Sequence, residues 1–153
     1  MSEIGFYHLT RSALEEALPR LLEKILASGQ RAVLRCPDKA RVESLDRALW
    51  TYGQDSFLPH GSRADGHAEA QPIFLTESED RPNAATVLVL VEGAPFADLS
   101  AYARCLDMFD GNDAAAVEAA RERWRRARAE GHKLVYWQQN ERGGWVKARE
   151  EGG

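Results

Sequence analysis

The run TVLVLVEG, residues 86–93, limits the possible folds more than any other stretch of this chain. From Val87 to Val91 it alternates only Val with Leu, and no polar residue interrupts it. A strand with one wet face alternates apolar and polar residues, whereas an unbroken apolar run is covered on both faces. That predicts a central strand in a sheet with helices on either side. The flanking patterns agree. GFYHL (5–9), RAVLRC (31–36), PIFLT (72–76), CLDMFD (105–110) and KLVYWQQ (133–139) read as further strands. Between them lie stretches with helical spacing. Leu14, Leu18, Leu21, Leu22, Ile25 and Leu26 mark a helix over 12–28, with Thr10 or Ser12 as its cap. Pro19 inside it predicts a kink or a late start. Asp38 caps a second helix reaching about Trp50, with Val42, Leu45 and Leu49 on one face. A short helix is expected after Pro95, and a long one over 113–130 that ends at Gly131. Strand and helix alternate, so the expected fold is α/β, a single three-layer domain with a mainly parallel central sheet and helices on both faces. The domain should occupy residues 1–139, and the polar tail 140–153, with Trp145 alone in it, should fray.

An α/β domain of 153 residues invites a search for a nucleotide site. The sequence has neither G-x-x-x-x-G-K-[ST] nor G-x-G-x-x-G. The turns after the first strands, HLTRS and CPDKA, lack the glycines that let backbone approach a pyrophosphate. Pro37-Asp38 also puts an acid where a phosphate would sit. No G-x-S-x-G elbow is present. His60 and His67 lie in HGSRADGH, but no third metal ligand accompanies them. Cys36 and Cys105 are too few for a disulfide framework and read as reduced core thiols. No cofactor and no catalytic centre is expected. The opening MSEIGFYHLT has no basic n-region or apolar h-region, so no signal peptide is expected, and a cytoplasmic location is.

Charge is unevenly spread. Residues 1–110 hold 11 Lys/Arg against 17 Asp/Glu, and residues 111–153 hold 9 against 7. An acidic body disfavours broad duplex binding, because phosphate affinity needs a positive field. The basic excess concentrates in AAAVEAARERWRRARAEG, residues 114–131. At about 100° per residue, Ala116, Ala119, Ala120 and Ala127 share one face, and Arg121, Arg125 and Arg128 the opposite one. Val117 and Trp124 edge the arginine stripe. Arginine suits bidentate carboxylate or phosphate contacts, and the apolar pair suits a ligand with a hydrophobic end. A solvated face with Glu118 and Glu122 as intrahelical partners fits the same pattern, and Trp124 also fits the core. Arg123 lies on the alanine side and must snorkel or pair.

The loop LWTYGQDSFLPHG (49–61) carries turn residues together with Trp50, Tyr52, Phe57 and Leu58. Trp50 sits about 90° from the Val42/Leu45/Leu49 face.

FYHL at the start, LDRALW…SFLPHG in the middle and ARERWRRARAEG near the end, in this order, resemble the chi subunit of bacterial DNA polymerase III. The resemblance runs over about residues 5–137 and is most specific in LDRALW…SFLPH. It implies a nucleotide-binding-like fold without a phosphate loop and a non-enzymatic accessory protein of the clamp loader. It implies two protein partners: psi, and the acidic C-terminal tail of single-stranded DNA-binding protein, with nucleic-acid contact indirect. The tail site implied is Arg121 as clamp for the terminal carboxylate, with Arg125, Arg128, Val117 and Trp124 around it. Val117 stands where the family can have Lys. The psi site implied is Trp50, Phe57, Leu58, Pro59 and His60, although Leu58 or Phe57 also fits the core and Trp50 fits either interface. Two other readings stay open. One is a small α/β enzyme with an unrecognised site. The other is direct single-stranded DNA binding by the Arg helix, which would need aromatic platforms along a positive groove.

Overall fold

The computed structural model describes residues 2–51, 59–94 and 99–151. Among these the chain forms β1 (Glu3–Leu9), α1 (Leu14–Ala27), β2 (Ala32–Arg35), α2 (Lys39–Trp50), β3 (His60–Ser62), β4 (Ile73–Thr76), β5 (Val87–Val91), β6 (Arg104–Asp110), α3 (Ala114–Ala129), β7 (Lys133–Gln139) and β8 (Trp145–Glu151). The strands make one sheet in the order β3-β4-β2-β5-β6-β1-β7-β8. Every pairing is parallel except β7 with β8. The Val/Leu run is β5, central and buried at every position. Its Val87, Val89 and Val91 enter the core under α1 and α2, while Leu88 and Leu90 enter the core under α3. Helices therefore cover both faces, in the three-layer arrangement expected.

The helix ends follow local chemistry. The Asp38 carboxylate accepts from the Arg41 amide at 2.8 Å and starts α2. Asp113 does the same for α3, accepting from Ala115 at 3.0 Å. For α1, however, neither Thr10 nor Ser12 caps. Its first flanking residue is Ala13, without a side-chain cap. The helix continues through Pro19, which is buried and offers no N–H to the preceding turn. The short helix expected after Pro95 falls partly on residues 95–98, outside the described residues. Residues 99–103 form a turn closed by the Tyr102 amide on the Leu99 carbonyl at 3.0 Å.

The larger correction concerns the tail. Residues 145–151, expected to fray, pair antiparallel with β7. Asn140 shapes the turn between them, its Oδ1 accepting from the Arg142 and Gly144 amides at 2.9 Å each. Trp145 is half-buried, its ring centroid 5.0 Å from that of Tyr7, edge to face. The hairpin survives because Trp145 buries its indole on the β1–β7 face instead of leaving it in water.

The register shifts once in this hairpin. Trp137 pairs with Lys147, yet its neighbour Tyr136 pairs with Arg149, so Ala148 is an extra residue. Trp137 belongs to the face under α1 and Tyr136 to the face under α3. Lys147 and Arg149 would share a face in a regular strand, and the bulge sends them to opposite ones.

Candidate protein-binding surfaces

The crevice between the carboxyl ends of β1 and β6 is where open α/β sheets take ligands, since the chain leaves β1 for α1 on one face and β6 for α3 on the other. Here its amides are already used. The Thr10, Arg11 and Ser12 amides donate to Gln139 Oε1 at 2.9, 2.9 and 3.2 Å. Such a run of amides would otherwise suit an anion. Beside it, Arg41 is held by Glu15 at 2.6 Å and Glu92 at 2.5 Å. A neutral carboxamide oxygen thus occupies the position of a phosphate, and carboxylates consume the nearby guanidinium.

The arginine stripe of α3 lies on the α3 face, beside β1, β7 and β8. The buried face of α3 is Ala120, Trp124 and Ala127. Ala119 is exposed and Ala116 half-buried, so the face is rotated from the alanine row that the spacing suggested. Trp124 decides this, because its indole buries more area than several alanines. It packs edge to face on Phe6 at 5.3 Å and on Tyr136 at 5.8 Å. Trp124 is therefore mainly a core residue, and Val117 is half-buried against the same cluster. Arg123 pairs inward: its Nε and Nη2 donate to the buried Asp107 carboxylate at 2.6 and 3.0 Å. Burial pushes the Asp107 carboxyl above its ordinary range, and Arg123 opposes that shift.

Arg121, Arg125 and Arg128 point outward, with side chains 62%, 60% and 64% exposed. Together with His8, Tyr136 and Arg149 they line a cavity of about 630 Å³ floored by Trp124. Arg149 arrives from β8, its guanidinium carbon 5.7 Å from the Trp124 ring centroid. The Tyr136 hydroxyl lies 2.6 Å from His8 Nδ1, and His8 Nε2 is 3.3 Å from the Gly111 carbonyl. A proton on Nε2 satisfies both bonds, with Tyr136 donating to Nδ1. A Cβ at Gly111 would meet the His8 ring at 1.7 Å, so only glycine lets the ring sit there. Burial raises the Tyr136 hydroxyl above its ordinary range and the positive charge of Arg121 lowers it, which puts that guanidinium within electrostatic reach of the ring. The arginines face carboxylates of this chain. Arg121 is 3.7 Å from Glu118, Arg125 pairs with Glu122, and Arg128 is 3.2 Å from Glu151. Glu151 also accepts from Arg149 Nε at 3.0 Å, and this bond first, with Arg128 assisting, holds its carboxyl below the usual range.

The sequence reading missed Arg149, His8 and Tyr136. The signal for Arg149 was present: NERGG, a turn composition, separates KLVYWQQ from WVKAREE.

The other sequence-predicted surface flanks β3. Trp50 ends α2 and is 55% exposed. Pro59 is half-buried, and Phe57 and Leu58 lie outside the described residues. His60 corrects the expectation. It is 4% exposed, with Nε2 3.2 Å from both the carbonyl and a carboxylate oxygen of Asp46. Its ring lies 4.6 Å from that of Trp50. His60 turns inward because β3 pairs with β4 under α2, where Asp46 offers the polar partner a buried imidazole needs. It supports the Trp50 indole from beneath. Among the described residues no cluster of His, Cys, Asp and Glu is arranged to hold a metal. The two surfaces lie toward opposite edges of the sheet, one beside β3 and the other across β1, β7 and β8.

The sequence profile of the family described as "DNA polymerase III chi subunit, HolC" matches residues 1–135. The chain belongs to this family. It is 34% identical over 99 residues to the "Probable DNA polymerase III subunit chi" of Rickettsia prowazekii, a match covering 65% of this chain and 60% of that protein. Against the "DNA polymerase III subunit chi" of Escherichia coli it is 27% identical over 124 residues, covering 80% and 84%. Against the Pseudomonas aeruginosa protein of the same name it is 29% identical over 137 residues, covering 88% and 94%. Family membership makes this chain an accessory, non-catalytic subunit of the replicative polymerase. No helix among the described residues is long and apolar enough to cross a membrane.

Proposed function

We propose that this protein bridges two partners in the cytoplasm during DNA replication. The α3–β8 surface holds the acidic C-terminal tail of single-stranded DNA-binding protein, and the β3 edge holds the psi subunit of the clamp loader. One observation carries the first half: Arg121, Arg125, Arg128 and Arg149 line one cavity floored by an indole. An acidic peptide with an aromatic end needs that pairing. Guanidinium groups take the carboxylates bidentately, and an apolar wall takes the ring. Arg121, whose charge reaches the Tyr136 hydroxyl, serves as the clamp for the terminal carboxylate. Arg125 and Arg128 hold the acidic side chains before it. Val117 contributes apolar surface and no charge, and Arg149 supplies a cation from a different element.

On the β3 edge, Trp50 is the anchor, exposed and braced from below by His60. Pro59 with Phe57 and Leu58 completes the docking segment. A rigid exposed aromatic is the usual centre of a protein interface.

Titration of a labelled acidic peptide ending in Phe tests the first half. Wild type binds, and affinity falls with salt because the contact is mainly electrostatic. Arg121→Ala weakens binding at least tenfold with an unchanged melting temperature. Equal affinity in wild type and variant would remove Arg121 from the clamp role.

A further inference from the structure

The hairpin of β7 and β8 has a second side, which faces α1. On the α1 face a groove of about 490 Å³ runs between α1 and the hairpin. Its aromatic wall is Tyr7, Trp137 and Trp145, with the Tyr7 and Trp137 rings nearly parallel at 13° and stacked 6.1 Å apart. Its charged residues are Arg20 and Lys24 from α1 and Arg104 from β6, and no carboxylate lines it. Arg20 and Lys24 are exposed on consecutive turns of α1. Arg104 lies beside the Tyr7 hydroxyl, and the carboxylate of Glu3, its register partner, also reaches that hydroxyl. Lys147, the cross-strand neighbour of Trp137, brings its ammonium 5.9 Å from that ring and also bonds Glu150 at 3.1 Å. Gly143 and Gly144 leave one end of the groove without side-chain walls. An all-cationic lining is notable on a chain of net charge -4.

We propose that this groove binds single-stranded nucleic acid. Bases stack on Trp137 and Trp145, and phosphates lie against Arg20, Lys24 and Arg104. Planar indoles beside spaced cations suit any base, because every base has a π-face and each link carries one negative charge. An acidic peptide would share the charge but would leave most of the aromatic wall unmatched. The contact would be weak and independent of sequence, and it does not depend on the bridging role proposed above.

The test is fluorescence anisotropy of a labelled oligothymidylate of about a dozen nucleotides against the full chain. Wild type should bind at low salt. With about three phosphates engaged, affinity should fall roughly twentyfold between 50 and 200 mM salt. Arg20→Glu with Lys24→Glu, both on exposed helix surface, should lose at least tenfold while still binding the Phe-ended acidic peptide. Trp145→Ala should weaken the oligonucleotide as well. Arg121→Glu with Arg125→Glu should lose the peptide and keep the oligonucleotide. The proposal fails if wild type does not bind the oligonucleotide, or if the α1 double variant binds it as well as wild type does. It also fails if the α3 variant is the one that loses it, or if the α1 variant loses the peptide and keeps the oligonucleotide.

Discussion

The two edges of the sheet are built in opposite ways. The β3 edge is short and parallel, and it shows one large indole to solvent while its histidine turns inward. The β8 edge is a seven-residue antiparallel strand whose neighbourhood shows guanidinium groups and keeps its indoles partly covered. One edge offers area and little charge, the other charge with an aromatic floor. Partners of different chemistry can therefore be held at once without competing, and a substitution at one edge should leave the other untouched. Two apolar edges would invite self-association, because exposed strand edges are pairing templates. Charge on β8 removes that hazard.

The largest effect that would sharpen this contrast is on folding. Arg123→Ala leaves the Asp107 carboxylate buried without its partner, at a cost of about 3 kcal/mol. Urea denaturation followed by circular dichroism measures it. A loss under 1 kcal/mol would mean that solvent reaches Asp107 and that α3 has no division between structural and available arginines. Next comes Trp50→Ala, which should weaken the β3-edge partner by roughly tenfold to a hundredfold, as truncated aromatic anchors do. Calorimetric titration with purified psi reads this, with the acidic peptide as control. Simultaneous loss of both ligands would break the independence of the edges. Arg149→Ala should weaken the acidic peptide several-fold, less than Arg121→Ala, because Arg149 already shares its charge with Glu151. No change would exclude β8 from the site. The smallest effect is a gain. Glu151→Gln removes the internal carboxylate that faces Arg128 and Arg149, and peptide affinity should rise about twofold. A decrease would show that Glu151 positions these arginines instead of competing for them.

Much of the centre of the fold was legible. The unbroken Val/Leu run identified β5 as central, since only a strand covered on both sides tolerates it. Asp38 marked a helix start because a short carboxylate before an apolar period is a local signal. The edges were not legible, for a related reason. β3 is His-Gly-Ser, without apolar pattern, and exists because β4 offers it a partner. β8 carries polar residues toward both sides, so its hydrophobic period is nearly flat, and long-range pairing with β7 forms it. In the candidate site the sequence placed Arg121, Arg125 and Arg128 on one exposed face but could not place Arg149, which comes from another strand. The inward turn of His60 was not legible, because its partner Asp46 lies on a different element. The wheel misplaced the packing face of α3, because small residues define a close-packing face only when no larger side chain competes for it.

The extra residue in β8 has a wider consequence. Tyr136 lies just past the matched region 1–135, and the bulge at Ala148 divides the following side chains between the two sides of the sheet. Lys147 and Arg149, two positions apart, thereby belong to different neighbourhoods. Changing either one alters a single contact face and leaves its counterpart alone. The exposed positions of this rim can thus be rewritten as two separate texts on one page, one for each face of the sheet.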